Sequence, residues 1–542
     1  MSCSLERPWY KSYDQGVNRC LDYPENTIIS DFITRSAVDF PQKSAIIFMG
    51  NEISYQLLDV YVNRAAAALA GLGVKKGDRV AIMAPNCPQY IISYHGVLRA
   101  GGIVVQVNPM YVERELEHIL NDSGAEIIIA YDALYPRIKA VKDFTPLKST
   151  ILFHLGQPVA DFGGEVQDFN SLLASATGEP PRYDFNVTED VAVLQYTGGT
   201  TGVSKGAMLT HRNILANVLQ ASSWVSEAKY GTEIVLTIIP LFHSYGMSSG
   251  MNYAIYNAAT DVLLPKFDIN DVMDAINKYK PTVIPGVPTL YIAIINHPDV
   301  SKFDLSSIKY CISGSATLPL EVAHKFHQLT GGTLVEGYGL SETSPSTHCQ
   351  PLNGVQKEGS IGLPFPDVDV KIVDVETGTR ELPPNELGEL IMKGPMAMKG
   401  YWNMPEETAN TLRNGWIYTG DIARMDEDGY FFIIDRKKDM IIAGGFNIYP
   451  RDIEEVLFEY PKVQEAVIVG VPDPYRGETV KAFIVLKAGE AATEEEIIGF
   501  CKQKLAAYKV PRQVEFRDQL PKTIVGKVLR RYLREEEMAK QK

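Results

Sequence analysis

The sequence has no uninterrupted apolar segment long enough to cross a membrane as a helix, for which about 20 residues are needed. Its first residues, Met-Ser-Cys-Ser-Leu-Glu-Arg-Pro, lack the apolar core of a secretory signal. We therefore expect neither membrane spanning nor secretion. A cytoplasmic location is expected, and peripheral contact with a membrane surface is compatible with it.

Cysteine and positive charge are also scarce. Six cysteines occur in 542 residues without a C-x-x-C pair, which favours reduced thiols over a disulfide framework or a zinc site. The formal net charge of −14 argues against a nucleic-acid-binding surface, and any polyanionic substrate must be met by local lysine, arginine or metal. We expect small-molecule partners and no nucleic acid, and a homodimer is an open alternative to a monomer.

The length and the apolar pattern predict more than one domain. A chain of 542 residues with 45% hydrophobic content exceeds what one core accommodates. From residue 79, short apolar runs alternate with amphipathic stretches. The predicted strands are 80–83, 103–107 and 125–130, and the predicted helices between them are 89–98 and 113–120. This β-α-β rhythm is typical of an α/β fold with parallel sheets covered by helices.

Beyond residue 416 the pattern changes. Residues 422–434 predict a β-hairpin with a turn at Gly429, and Asp435–Asp439 form a run of five charged residues. The order that follows is helix, strand, strand, helix, strand, which predicts an α+β module of about 100 residues. We place the domain boundary at the charge run, with a large domain over 1–437 and a small one over 438–542.

Residues 196–206 read Tyr-Thr-Gly-Gly-Thr-Thr-Gly-Val-Ser-Lys-Gly. Glycines let backbone N–H groups face an anion, threonine hydroxyls can donate to it or bind its metal, and Lys205 supplies a charge. The spacing is not that of a P-loop, because Val203 and Ser204 separate Gly202 from the lysine. The pattern predicts a phosphate site, with a flexible surface loop as the alternative.

Five further segments have unusual combinations of glycine, hydroxyl and charge. They are 314–316, 337–343, 418–421, 435–446 and 521–527. Together with the first loop, in order over nearly the whole chain, they resemble the adenylate-forming superfamily of acyl-CoA synthetases, luciferases and peptide-synthetase adenylation domains. Residues 240–247 and 285–291 further resemble bacterial medium- and long-chain fatty acid CoA ligases.

The resemblance implies a large AMP-binding domain, a small mobile C-terminal domain, and the use of ATP, Mg²⁺ and coenzyme A. It implies two steps, in which a carboxylate attacks the α-phosphorus of ATP to give an acyl-adenylate and the CoA thiol then displaces AMP. Thr197 and Glu342 match the family's Mg²⁺ positions, and a carboxylate with a hydroxyl suits this hard cation. The implied phosphate-binding residues of the loop are Thr197, Gly198, Gly199, Thr200, Thr201 and Lys205.

The resemblance implies that the adenine of the nucleotide stacks on the ring of Tyr338. Gly337, which directly precedes this tyrosine, is implied to belong to the same site. The residues implied along the other side of adenine are Gly314, Ser315 and Ala316. Ser341 would contact the α-phosphate, where many relatives have threonine. Asp421 would accept hydrogen bonds from the ribose hydroxyls, assisted by Arg436.

Five residues are implied to serve the two steps. Lys527 matches the lysine that reaches the carboxylate and the α-phosphate, and we assign it the main catalytic role in adenylation. Lys438, which we also count with the nucleotide site, matches the hinge of the small domain. The residues matching the wall of the pantetheine tunnel are Gly444, Gly445 and Phe446.

The histidines are harder to interpret. His243 matches a gating position beside the acyl carboxylate, with a packed core histidine as the alternative. His324 and His327 have a spacing open to metal, but residues 321–328 predict an amphipathic surface helix.

We expect an AMP-forming acid–CoA ligase, with a medium- or long-chain fatty acid as substrate. The gating tryptophan that many long-chain relatives have after the histidine is replaced here by Ser244–Met247. The alternatives are an aryl or hydroxycinnamic acid CoA ligase and an adenylation module that loads a carrier protein.

Overall fold

The computed structural model describes residues 7–158, 164, 166–177, 179–197, 204–443, 446–473, 476–522 and 528–540. The chain divides into two compact units. The first is Met1–Asp369 with Lys393–Ile417, and the second is Val370–Met392 with Tyr418–Lys542. The domain boundary between residues 437 and 438 stays a prediction.

The first unit is an α/β structure, as predicted. Its strands are β1 (Ser44–Phe48), β2 (Asn51–Ser54), β3 (Arg79–Met83), β4 (Ile103–Val107), β5 (Ile127–Tyr131), β6 (Ser149–Phe153), β7 (Gln167–Asp168), β8 (Val191–Thr197), β9 (Lys205–Thr210), β10 (Ile234–Thr237), β11 (Thr260–Leu263), β12 (Val283–Gly286), β13 (Tyr310–Ser313), β14 (Thr333–Gly339), β15 (Ser346–Cys349) and β16 (Leu363–Pro364). The strands predicted at 80–83, 103–107 and 125–130 are confirmed as β3, β4 and β5, with shifts of one or two residues at their ends.

Helices separate these strands. They are α1 (Asp31–Asp39), α2 (Tyr55–Gly71), α3 (Pro88–Arg99), α4 (Glu113–Ser123), α5 (Tyr135–Lys142), α6 (Phe169–Ser175), α7 (His211–Trp224), α8 (Tyr253–Tyr256), α9 (Ile269–Tyr279), α10 (Pro288–Ile295) and α11 (Leu320–Thr330). Local sequence explains where they begin: the Thr210 hydroxyl accepts a hydrogen bond from the Asn213 N–H at 3.2 Å, which caps α7.

Two sheets organise the first unit. One has the order β9-β8-β4-β3-β5-β6-β7, and the other β16-β15-β14-β13-β12-β10-β11-β1-β2. Their central strands are parallel, while β8–β9, β1–β2 and β14–β15 are antiparallel. Helices cover both faces of the parallel strands, which is why β3 to β5 are apolar along nearly their whole length.

Residues 393–417 complete the first unit with a short strand, a helix and a second short strand. Two strands of the second unit precede these elements in sequence, β17 (Asp369–Val373) and β18 (Gly388–Lys393). The elements of residues 393–417 are therefore β19 (Gly400–Tyr401), α12 (Pro405–Thr411) and β20 (Leu412–Arg413). Strand β19 pairs antiparallel with β9, which places α12 beside the start of β9.

The second unit has two sheets. The remaining elements are β21 (Trp416–Met425), β22 (Phe431–Arg436), β23 (Ile441–Ala443), β24 (Phe446–Ile448), α13 (Pro450–Phe458), β25 (Val463–Asp473), β26 (Gly477–Leu486), α14 (Glu494–Lys504), β27 (Gln513–Phe516) and α15 (Arg530–Lys540). Strands β21 and β22 form the predicted hairpin. The predicted helix-strand-strand-helix-strand order after residue 450 is also confirmed.

The cysteines differ from the expectation in one respect. Cys87, Cys311, Cys349 and Cys501 are buried free thiols, but Cys20 is disulfide-bonded. Among the described helices, none is both long and apolar enough to span a membrane.

Candidate functional site

The glycine- and threonine-rich loop connects two antiparallel strands. Thr197, the last residue of β8, pairs with Lys205, the first residue of β9, and the Ser204 hydroxyl donates to the Thr197 carbonyl at 2.8 Å. The two implied phosphate ligands at the ends of the loop are therefore neighbours. Gly198, Gly199, Thr200 and Thr201 lie outside the described residues.

The Lys205 side chain contacts residues of β19 and α12. Its ammonium forms an ion pair with the Glu407 carboxylate and lies 5.4 Å from the ring centroid of Tyr401, within cation–π distance. Neither of these partners stands out in the sequence. Their signal was local and weak, an aromatic and an acidic residue in Gly-Tyr-Trp-Asn-Met-Pro-Glu-Glu.

Glu342, the implied metal ligand, lies in the short 3₁₀ turn Ser341–Thr343. The Tyr401 hydroxyl donates to its Oε1 atom at 2.7 Å, and its own carbonyl accepts from the Met398 N–H at 2.8 Å. Burial, and then the charge of Glu342, raise the pKa of Tyr401 well above its usual value. Tyr401 is therefore a neutral hydrogen-bond donor at physiological pH.

The donor set fits a hard cation. A carboxylate has about four lone-pair positions, so the bond from Tyr401 leaves Glu342 able to bind a metal, and Mg²⁺ commonly takes one or two protein oxygens with phosphates and waters. No cluster of three or more His, Cys, Asp or Glu side chains suited to a metal occurs in the part of the chain that the structure describes. An all-protein metal cage is therefore not the arrangement found among these residues.

A cavity in the first unit brings several of the implied site residues together. It is lined from α7, from the segment after β10, and from the ends of β12, β13 and β14. The implied residues that line it are His243, Gly314, Ser315, Gly337, Tyr338 and Ser341. None of the described residues that line it is aspartate, glutamate, lysine or arginine, so its walls favour an uncharged group.

His243 lies at this cavity and is half-buried. Its Nδ1 atom accepts from the Tyr245 N–H at 3.3 Å, which in the neutral ring places the proton on Nε2. The next residue, Ser244, has its hydroxyl 3.4 Å from that of Ser341. His243 therefore lines the cavity close to the implied α-phosphate residue.

Tyr338 lines the cavity between two glycines that leave no room for a side chain of their own. A Cβ atom on Gly339 would lie 1.9 Å from the Pro345 carbonyl oxygen, and one on Gly337 would lie 2.8 Å from the side chain of Ile312. The tyrosine ring contacts His348 edge-on, with the centroids 5.7 Å apart. The glycines are thus required by close packing.

The turn after β13 is the opposite wall. A Cβ atom on Gly314 would lie 3.0 Å from the Tyr245 ring, so only glycine fits there without displacing the ring. Ser315 has a left-handed backbone with φ of +69°, and both Ser315 and Ala316 are exposed. Ala316 does not line the cavity itself.

The two segments that resemble fatty acid CoA ligases supply part of the apolar wall. Within residues 240–247 and 285–291, Tyr245 and Pro285 line the cavity, whereas Leu241, Met247 and Tyr291 are buried in the core. Tyr291 also uses its hydroxyl on the Ile284 carbonyl at 2.8 Å. The other apolar side chains that line the cavity are Ala221, Val225, Val283, Ile312, Leu340, Pro345 and Phe365, together with the ring of Tyr253.

The implied ribose residues lie in the second unit. Asp421 on β21 is buried and pairs in register with Arg436 on β22, and the Arg436 Nε atom lies 2.6 Å from the Asp421 Oδ1 atom. The Asp421 N–H donates to the Thr419 hydroxyl at 3.0 Å. The structure therefore brings together the aspartate and the arginine expected to assist it.

The remaining implied positions are described only in part. Lys438 is exposed on a turn after β22, and Phe446 begins β24. Gly444, Gly445 and Lys527 lie outside the described residues.

The two spaced histidines lie on the predicted surface helix, now α11. His327 Nδ1 lies 3.1 Å from the Gly332 carbonyl oxygen, and His324 is exposed. The helix interpretation is confirmed.

Comparison with known proteins agrees with this geometry. The family model described as AMP-binding enzyme matches residues 33–402, and the model described as AMP-binding enzyme C-terminal domain matches residues 452–527. A long-chain-fatty-acid–CoA ligase of Bacillus subtilis (strain 168) is 50% identical over 98% of this chain and 98% of its own length.

Two solved structures are also similar. The anthranilate CoA ligase bound to anthranoyl-AMP has a TM-score of 0.85 and 28% identity over 96% of this chain and 99% of its own. ATP-bound MatB from Rhodopseudomonas palustris has a TM-score of 0.85 and 31% identity, covering 95% and 100%. With both family models matched in order along most of its length, the chain belongs to the AMP-binding enzyme family.

Proposed function

We propose that this protein is an ATP-dependent, AMP-forming acid–CoA ligase whose acid is a medium- or long-chain fatty acid. The observation that carries the proposal is the cavity in which His243, Tyr338 and Ser341 meet an apolar wall with no charged side chain among its described residues. The 50% identity to a protein named as a long-chain-fatty-acid–CoA ligase supports the fatty acid over other acids.

In the first half-reaction the fatty acid carboxylate attacks the α-phosphorus and pyrophosphate leaves. Negative charge grows on the transferred phosphoryl group and on pyrophosphate, so cationic groups placed there lower the barrier. Lys205 and Lys527 would supply such charge, and Ser341 would donate to the α-phosphate. A Mg²⁺ ion held by Thr197 and Glu342 would add Lewis-acid stabilisation of the phosphate oxygens.

The rest of the nucleotide would be held by stacking and by hydrogen bonds. Tyr338 would stack on adenine, and the buried Asp421, already oriented by Arg436 at 2.6 Å, would accept from the ribose hydroxyls. Orientation by a fixed ion pair reduces the ordering cost when the nucleotide binds.

In the second half-reaction the CoA thiol attacks the acyl carbon and AMP leaves. Gly444 and Gly445 would admit the narrow pantetheine arm, and Lys438, on its exposed turn, would be the hinge. His243 would act as a gate at the acyl carboxylate.

The acyl chain would lie against the apolar wall of the cavity. Each methylene removed from water contributes up to about 0.8 kcal/mol, so a longer chain gains affinity until the wall ends. Because a fatty acid partitions into lipid, we also propose a cytoplasmic enzyme that contacts membrane surfaces peripherally.

The test is CoA-dependent release of pyrophosphate and AMP over a panel of saturated fatty acids, benzoate and coumarate. We expect kcat/KM to rise severalfold for every two carbons through the medium range. If benzoate or coumarate were preferred to every fatty acid, the aryl or hydroxycinnamic alternative would replace the fatty acid. Adenylate formation without transfer to CoA would instead favour a module that loads a carrier protein.

A further inference from the structure

Tyr401 has a backbone position that is determined by its neighbours. It pairs with Ala207 across the antiparallel β9–β19 ladder, and its N–H donates to the Thr408 hydroxyl at 2.8 Å. The preceding Gly400 has a φ of +144°, and a Cβ atom there would lie 2.7 Å from the Thr408 methyl group. The start of β19 is thus held against α12 on one side and β9 on the other.

The side chain of Tyr401 contacts two groups implied to act on the phosphates. Its hydroxyl donates to Glu342 Oε1 at 2.7 Å, and its ring face lies 5.4 Å from the Lys205 ammonium. The residue is 7% exposed, so water competes little for either contact. One buried side chain therefore lies between the implied metal carboxylate and the implied phosphate lysine.

We propose that Tyr401 is a positioning residue of the adenylation half-reaction, which holds the Glu342 carboxylate for the metal and the Lys205 ammonium for the phosphates. The proposal rests on the proposed function and assigns a role to a residue that touches neither substrate nor reacting atoms.

The hydrogen bond to Glu342 would act by preorganisation. A carboxylate with one oxygen fixed by a donor has fewer orientations to lose when its other oxygen binds a cation, and removing such an outer partner typically costs about 10- to 100-fold in metal affinity or activity. The ring contact with Lys205 has less influence, because Glu407 also pairs with that ammonium. The hydroxyl is therefore the part of Tyr401 whose loss has the larger effect.

The experiment uses Tyr401→Phe in the full-length chain, which removes the hydroxyl and keeps the ring over Lys205. We expect the Mg²⁺ concentration for half-maximal ATP–pyrophosphate exchange to rise about 10- to 100-fold. Saturating Mg²⁺ should restore most of the rate, and thioester formation from supplied acyl-AMP should keep its wild-type rate. As a readout independent of turnover, binding of Mn²⁺ with ATP, followed by calorimetry, should weaken by the same factor.

The matched control is Tyr310→Phe. It removes a tyrosine hydroxyl that donates to a glutamate, Glu227, at 3.1 Å in the same unit, but Tyr310 does not line the cavity. Its metal dependence should equal that of the wild type. A shift of the same size in both variants would show a general effect of a lost hydrogen bond and would overturn the proposal.

The proposal would also be overturned if Tyr401→Phe had the Mg²⁺ dependence of the wild type, or if it slowed both half-reactions equally. If Tyr401→Phe failed to fold, Glu342→Gln would replace it, because it keeps the tyrosine and weakens both the hydrogen bond and the metal ligand. An unshifted Mg²⁺ dependence there would contradict the proposal. Failure of the proposed function has a different signature, since the wild-type protein itself would then form no acyl-CoA.

Discussion

His95 shows how strongly the interior of the first unit constrains a single residue. It is fully buried on α3, and neither ring nitrogen has a hydrogen-bond partner among the described residues. Burial, with a smaller contribution from the charge of Arg99, lowers the pKa of His95 to about 3. The folded protein therefore holds this histidine neutral, whereas the unfolded chain protonates it near pH 6.5.

This difference predicts acid sensitivity. The stability that the neutral His95 contributes to the fold is fully present above the unfolded pKa of about 6.5. This contribution is lost as the pH falls below 6.5, and the loss ends near pH 3, where His95 is protonated in the folded protein as well. At pH 5 the loss from His95 is about 2 kcal/mol. We expect His95→Leu, similar in size and uncharged, to remove that share of the difference in unfolding free energy between pH 7 and pH 5, measured by urea denaturation.

His324→Gln is the control, because His324 is a histidine that lies exposed on α11. It should leave the difference between the two pH values unchanged. If His95→Leu had the same pH dependence as the wild type, the burial of a neutral His95 would not contribute to acid sensitivity.

At the scale of elements, helix α7 links the phosphate loop to the apolar wall. It begins directly after β9, whose first residue is Lys205, and its C-terminal turn presents Ala221 to the cavity, with Val225 just beyond the helix. A helix rises 1.5 Å per residue, so one rigid element separates the implied phosphate and acyl ends of the site. Substitutions at Ala221 should therefore alter which acid the protein prefers and leave nucleotide binding unchanged.

We expect Ala221→Phe to shorten the preferred acyl chain. The added ring fills part of the apolar cavity, and each methylene that no longer fits forfeits up to about 0.8 kcal/mol, or about fourfold in kcat/KM. The chain-length profile should turn down earlier than in the wild type. The shortest acids of the panel and the KM for ATP serve as internal controls and should be nearly unchanged.

A uniform fall in kcat/KM at every chain length would contradict this placement of the acyl group. It would indicate that Ala221 contributes to folding or to the nucleotide rather than to a wall that the acyl tail reaches.

At the scale of the whole molecule, the proposed function requires one small domain to serve two half-reactions at separate times. The two implied sets of residues are Lys527 for adenylation and Gly444–Phe446 for the thiol. If the two steps use these different residues, substitutions there should separate the steps.

Lys527→Ala should slow acyl-adenylate formation by about a hundredfold or more, as expected on removing one well-placed donor, and should leave thioester formation from supplied acyl-AMP intact. Gly445→Trp should do the reverse, because a bulky side chain would obstruct a narrow thiol arm. Pyrophosphate exchange and single-turnover thioester formation measure the two steps. Equal damage to both steps in either variant would contradict the assignment of that residue.

The sequence by itself determined the fold class, the order of the elements and the family. These depend on local signals: apolar runs such as Ile103–Val107, the capping residue Thr210, and short motifs whose glycines and hydroxyls are consecutive in the chain. Such signals survive without knowledge of tertiary contacts, because backbone geometry and short-range hydrogen bonding are set by adjacent residues. The disulfide at Cys20 had no such signal.

Only the tertiary structure decided which side chains support the site. Tyr401 lies 59 residues after the Glu342 carboxylate it contacts, and Glu407 lies 202 residues after Lys205. The apolar wall likewise includes Ala221 and Phe365, which lie far in sequence from Tyr245 and Pro285 on the same wall. Packing brings these residues together because strand pairing joins distant segments, as β19 joins β9, and no pattern along the chain contains that pairing.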